Sequence, residues 1–137
     1  MSDHSLRVVE RAYAAFQSGD VETLMGQFAD DVSWNLPVIE NVRISGSRTG
    51  KANVGNFFSM LGEDMEPLLF EPTRLVAEGD LVVALGRYRW RVKATGREIA
   101  SEFAHVFTVT NGRIVRFQEF MDTAAFVVGY AGVLTTV

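Results

Sequence analysis

The chain of 137 residues contains no cysteine. That absence excludes disulfides, thiol nucleophiles and cysteine-bound metals, and it leaves the redox compartment open. Histidine is scarce as well: there are only two, His4 and His105, and no metal-ligand spacing accompanies them, so neither a metal nor another cofactor is expected. Long runs of one charge are missing. The formal net charge is −4, from 13 Lys and Arg against 17 Asp and Glu, and no basic stretch supports nucleic-acid binding. The opening "MSDHSLRVVERAY" lacks the apolar centre of a signal peptide, and no apolar run has the length of a bilayer span. A cytoplasmic protein with no membrane partner is the expectation. An apolar fraction of 47% supplies a full core, and the length suits one domain over residues 1–137.

The first half of the chain reads as helices. Leu6, Val9, Tyr13 and Phe16 recur at three- and four-residue steps, with Ser2 or Asp3 as a cap and Gly19 as a stop. Asp20 caps a second, short helix carrying Leu24, Met25 and Phe28. Val32, Trp34 and Leu36 alternate as a short strand ended by Pro37. A loop follows, and Thr49 then caps a third helix that buries Val54, Phe57, Phe58 and Leu61. After Pro67 the period becomes two. Residues 69–78, 81–93, 97–110 and 113–122 read as four long strands, separated by "GD", "ATG" and "NG" turns. Helices followed by an antiparallel meander give an α+β fold, a curved sheet with helices on one face. The tail "AAFVVGYAGVLTTV" is apolar enough to need a dock, as a lid, an edge strand or a contact with another chain.

Two-residue turns at Asn111-Gly112 and Thr95-Gly96 would fix the cross-strand pairs. His105 would then oppose Gln118 and Gly86, Phe103 would oppose Phe120 and Tyr88, and Ser101 would oppose Asp122 and Trp90. One face collects Tyr88, Trp90, Phe103, His105, Phe107, Gln118, Phe120 and Asp122. The other collects Arg87, Arg89, Arg91, Lys93, Glu98, Glu102 and Glu119. Opposite charges across strands, such as Arg89 and Glu102, suit a solvated face at about 0.2–1 kcal/mol a pair. His105 and Asp122 are then the polar groups stranded among aromatics. His105 reads either as a neutral core histidine bonded to Gln118 or as a general base in a pocket. Asp122 reads either as a cap for the tail or as a pocket carboxylate. The two lie about 13 Å apart in an ideal register, a distance that a β-bulge would change. Tyr13, Trp34 and Asn35 complete the candidate lining, with Tyr13 and Trp90 offering polar tips.

The order "AYAAFQSGDVETLMGQFADDVSWNLP", "GSRTGKANVGNFFSML", "LVAEGDLVVALGRYRWRVKATGREI" and "EFAHVFTVTNGRIVRFQEFMDT" resembles the SnoaL-like branch of the nuclear transport factor 2-like superfamily over nearly the whole chain. The resemblance implies a cone-shaped α+β barrel, a bent sheet around three N-terminal helices with an apolar pocket inside. It also implies a homodimer through the outer sheet face. It does not fix the function, because the superfamily includes ketosteroid isomerases, polyketide cyclases, dehydratases, epoxide hydrolases and members that only bind or dimerise. The ketosteroid isomerase triad, an Asp base with a Tyr and a neutral Asp as donors, aligns with Leu36, Ala12 and His105, and none of the three is kept, so that activity is not expected. The cyclase pattern, a histidine on the penultimate strand and an aspartate on the last, points to His105 and Asp122, with Glu119 as the other candidate carboxylate. The expectation is a small apolar ligand held by Tyr13, Trp34, Asn35, Tyr88, Trp90, Phe103, Gln118 and Phe120, with cofactor-free acid/base chemistry at His105 and Asp122. The alternatives are a non-catalytic binding or dimerisation module and an adaptor that uses the apolar tail.

Overall fold

A computed structural model describes residues 2–133. The elements run α1 (Ser2–Ser18), α2 (Val21–Gly26), β1 (Phe28–Asn35), β2 (Ser47–Thr49), α3 (Lys51–Asp64), β3 (Met65–Glu78), β4 (Leu81–Val92), β5 (Glu98–Thr110), β6 (Arg113–Met121) and α4 (Thr123–Gly129). Three N-terminal helices precede a long antiparallel meander, the α+β arrangement that the change of period predicts. All six strands form one curved sheet in the order β2-β1-β6-β5-β4-β3. The meander is antiparallel throughout, but β1 joins it beside β6 in parallel, with Trp34 next to Phe117. Alternation within a strand carries no information about this pairing. The sheet is therefore mixed rather than purely antiparallel, and the short strand β2 lies in what reads as a loop.

Local chemistry places the elements. The Asp20 carboxylate accepts the amide of Thr23 and so starts α2. The cap of α3 is Gly50, at φ 96°, where glycine alone is unstrained; Thr49 instead ends β2. Pro67 and Pro72 sit within β3, which is an edge strand, and each falls at a register shift that spares the ladder a missing donor. Asn111 and Gly112, at φ 52° and 75°, form the tight β5–β6 turn.

Both registers differ from the ideal ones. Between β4 and β5 the connection is longer than two residues: Val92 and Gly96 close it, and Trp90 faces Ile99 where Ser101 is expected. This is a shift of two, so each side chain keeps its face, while the ion partners change: Arg87 opposes Glu102 and Arg91 opposes Glu98. Between β5 and β6 the turn is as expected, with Thr110 opposite Arg113, but a bulge follows. Val109 pairs with Ile114 and Thr108 with Arg116, which leaves Val115 unpaired. From there on the strand is displaced by one residue, and every side chain changes sides. Phe117 and Glu119 turn inward; Gln118 and Phe120 turn outward.

The concave side of the sheet packs on the helices. Helix α1 lies across β3, β4 and β5, and α3 lies against β1 and β2. The core joins Val8, Val9 and Ala12 of α1 to Phe57 and Leu61 of α3 and to an aromatic sheet lining of Trp34, Tyr88, Trp90, Phe107 and Phe117. Of the tail, residues 123–129 form α4. Its Phe126 and the following Tyr130 are buried, and Gly129 lies so close to Ile99 that a β-carbon there would meet that side chain at 2.4 Å. The last four residues of the apolar tail lie outside the described residues.

Candidate active site

His105 and Glu119 oppose each other across β5 and β6, both facing inward, at 5% and 9% exposure. Buried ionisable groups need partners. Tyr13 reaches from α1 so that its hydroxyl lies 2.7 Å from His105 Nδ1. Tyr88, from β4, donates its O–H to Glu119 Oε2 at 2.7 Å. Glu119 Oε1 then stands 3.5 Å from His105 Nε2, and that nitrogen is buried without a hydrogen bond. The result is a chain Tyr13–His105–Glu119–Tyr88 with one loose link at its centre.

The phenols fix the direction of the protons. Burial first, and the charge of Glu119 second, push the Tyr13 hydroxyl far above the ordinary tyrosine range. Tyr88 is pushed the same way by burial, the Glu119 charge and its hydrogen bond, and the charge of Asp122. Both therefore remain O–H donors. A Tyr13 that donates to Nδ1 sets His105 as the Nε2–H tautomer, with that hydrogen directed at Glu119 Oε1. Phe103 stacks flat on the imidazole, 4.1 Å between centroids, and holds the ring from one side. Gly86 makes this possible: a β-carbon there would sit 2.5 Å from the Phe103 ring and 2.4 Å from a carbonyl of β3.

The polar chain borders an interior cavity of about 80 Å³. Its other walls are Trp34, Phe57, Phe58, Phe70, Trp90, Phe107, Phe117 and Phe126. A space of about 150 Å³ is known to take benzene; this one is about half that size, so a guest as large as benzene enters only if its half-buried walls move apart. Phe16, Phe58 and Phe70 also line a cleft of about 320 Å³ beside α2. These half-buried rings, with Phe16 and Phe70 5.1 Å apart in an edge-on contact, form the partition between the two spaces.

The structure sorts the residues singled out from the sequence. Tyr13, Trp34, Tyr88, Trp90 and His105 line the cavity. Phe103 lies behind His105. Asn35 donates to Ser33 Oγ and to the carbonyl of Phe117, both at 3.0 Å, and thereby clasps β1 to β6. Three placements are corrected by the Val115 bulge. Gln118 accepts from Arg116 on the convex face, Phe120 is half exposed there, and Asp122 is exposed. Asp122 accepts the Ala125 amide at 3.2 Å as the cap of α4, the first of its two readings. The inward carboxylate is Glu119. A signal for it exists in the sequence: Ile114 and Phe117 are both apolar at an odd separation, which a regular strand cannot bury on one face. Among the described residues no group of three metal-ligating side chains occurs, and no helix is long and apolar enough to cross a membrane.

Residues 9–117 match the SnoaL-like domain family. The uncharacterized protein Rv0034 of Mycobacterium tuberculosis is 31% identical over 136 residues, covering 90% of this chain and 93% of that one. An NTF2-like protein of Burkholderia xenovorans superposes with a TM-score of 0.85 at 25% identity, over 94% of this chain and 97% of that one. A Pseudomonas putida protein provisionally named a polyketide cyclase superposes with a TM-score of 0.75 over 94% of this chain and 98% of its own, and at 18% identity that likeness is one of fold.

Proposed function

The chain belongs to the SnoaL-like domain family, and from that premise we propose that it binds a small, largely apolar molecule in its interior cavity and moves a proton on it without a cofactor. The observation that supports this reading most directly is the loose contact between His105 Nε2 and Glu119 Oε1. Two buried polar atoms face each other at 3.5 Å inside an aromatic cavity, each held by a tyrosine on its far side. A structural pair would close that gap, since an unmade bond between buried groups costs about 1–3 kcal/mol.

In this reading Glu119 Oε1 is the base. Its other oxygen is taken by Tyr88, so a single oxygen is directed at the guest. A carbon acid whose C–H reaches Oε1 passes its proton there. The negative charge that develops on the adjacent carbonyl oxygen is met by the Nε2–H of His105. Tyr13 fixes the tautomer that makes this hydrogen available, and the apolar walls strengthen the interaction by excluding water. Positioned acid and base groups of this type contribute about 10²–10⁴-fold.

The test is proton exchange. Phenylacetone in D₂O is expected to lose its α-hydrogens faster with the wild-type protein than with buffer, as followed by NMR. Glu119→Gln is expected to abolish the acceleration and His105→Ala to reduce it at least tenfold. Exchange that is no faster with wild type than with Glu119→Gln overturns the catalytic reading.

One observation favours a second reading. The cavity volume of about 80 Å³ falls below the several hundred typical of small-molecule sites, as in a protein that only dimerises. Failure of both toluene and phenylacetone to bind would support it.

A further inference from the structure

Two more buried donors lack hydrogen-bond partners, one on a wall of the cavity and one on the residue paired with it. Trp34 Nε1 and Arg48 Nη1 make no hydrogen bond. They come from residues directly opposite each other, because Trp34 of β1 pairs with Arg48 of β2, so their side chains share a face of the sheet. Both lie on the same ring. The Arg48 guanidinium sits 4.9 Å above Phe57, and Trp34 is 5.6 Å from Phe57 between centroids. Trp34 and Phe57 are cavity walls.

The guanidinium is short of negative charge. Its Nη2 donates to the carbonyl of Ser45 at 2.8 Å, and among the described residues it forms no ion pair. The arginines on the convex sheet face, Arg87, Arg89 and Arg91, each have a glutamate. Glu63, which borders the outer side of Arg48, is engaged by Arg43 at 2.8 Å. A partly desolvated cation with one buried, unused N–H, and an unused indole N–H on the residue paired with it, offer two donors suited to a carboxylate.

We propose that Trp34 Nε1–H and Arg48 Nη1–H anchor a carboxylate, so that the molecule held in the cavity is an apolar acid rather than a neutral hydrocarbon-like compound. This rests on the cavity-binding reading above. One aromatic ring joins the two ends. Trp34 and His105 both pack on Phe117, at 3.9 and 4.9 Å between centroids. A carboxylate at the Trp34–Arg48 end thus leaves the rest of a compact skeleton facing His105 and Glu119. The anchor also solves a charge problem: the site already contains Glu119, and an anionic guest enters only if a cation at the other end offsets the repulsion.

The experiment uses benzoate, benzamide and toluene as probes of nearly equal shape. The chain has two tryptophans, so its two indole N–H resonances are resolved by ¹⁵N NMR, and Trp34→Phe identifies the one from Trp34. Benzoate is expected to move the Trp34 indole resonance saturably and to bind at least tenfold more tightly than toluene, with benzamide between them. Arg48→Met is expected to remove the benzoate preference while leaving toluene affinity within twofold. Toluene binding that equals or exceeds benzoate binding in the wild-type protein overturns the anchor while sparing the cavity reading, and needs no variant to fold. Failure of all three probes to perturb either indole overturns both. A benzoate preference that survives in Arg48→Met also overturns the anchor.

Discussion

At the scale of single residues, the balance at the site depends on two phenols kept neutral. Tyr13 and Tyr88 are both shifted upward from the ordinary tyrosine value. A group whose pKa is raised by folding holds its proton in the native state after the unfolded chain has released it. Its contribution is complete below pH about 10, where both states are protonated, and is lost as the pH climbs past that point. Stability from urea titrations between pH 8 and 11 is therefore expected to fall above pH about 10. The fall should be shallower in Tyr13→Phe and Tyr88→Phe. Below pH 10, Tyr88→Phe is expected to cost about 1–3 kcal/mol, because Glu119 Oε2 loses its donor while staying buried. An unchanged denaturation midpoint would show that water replaces the phenol there.

The bulge at Val115 is the decisive feature among the elements. It is one residue long, yet it exchanges the inner and outer sets of β6. Deleting Val115 would make the ladder regular and leave the observed pairs in place, Thr108 with Arg116 and His105 with Glu119, so Phe117 and Glu119 would still face inward. Such a chain is expected to lose less than the ~3 kcal/mol of an emptied aromatic core site, measured by thermal unfolding. A larger loss would mean that the bend at the bulge, and not the facing alone, seats the strand. The same bulge marks what could be read from the sequence. Helix and strand identities, the meander and the inward position of His105, Tyr88 and Trp90 follow from periodicity, which depends on near neighbours alone. The β4–β5 register departs from strict two-residue turns by two residues at no cost to facing, because an even shift preserves alternation. The β5–β6 register departs by one, and the carboxylate with it: strict alternation places Asp122 inside and Glu119 outside. Odd shifts are invisible to a rule that assumes strict alternation, and only the paired apolar positions Ile114 and Phe117 betray this one. Trp34 and Arg48 illustrate another limit. Their meeting depends on β2, three residues long and without a period of its own.

For the whole molecule, the convex face carries more apolar surface than alternation alone implies, since Phe120 lies on it. Leu85, Ala104 and Phe120 stand in one row across β4, β5 and β6, with Leu85 and Phe120 at 43% and 49% exposure. Flanking charges come from Arg74, Arg87 and Glu102. We propose that this row pairs with its counterpart in a second copy, an interface whose apolar centre and charged rim match the usual anatomy. Sedimentation velocity at micromolar concentration is expected to show a dimer that Phe120→Asp converts to a monomer. A wild-type chain that sediments as a monomer there removes the proposal.

The parallel seam between β1 and β6 has a kinetic meaning. A strand made within the first 35 residues finds the second of its two neighbours only in residues 113–121. Its ladder to β6 therefore cannot form on a growing chain until residues 113–121 have been made, and closing so long a loop delays folding relative to helices and hairpins. The aromatic interior stays open until that seam is made. The cavity is thus among the last features the molecule acquires, and the stretch most exposed to mispairing beforehand is the one that carries Trp34.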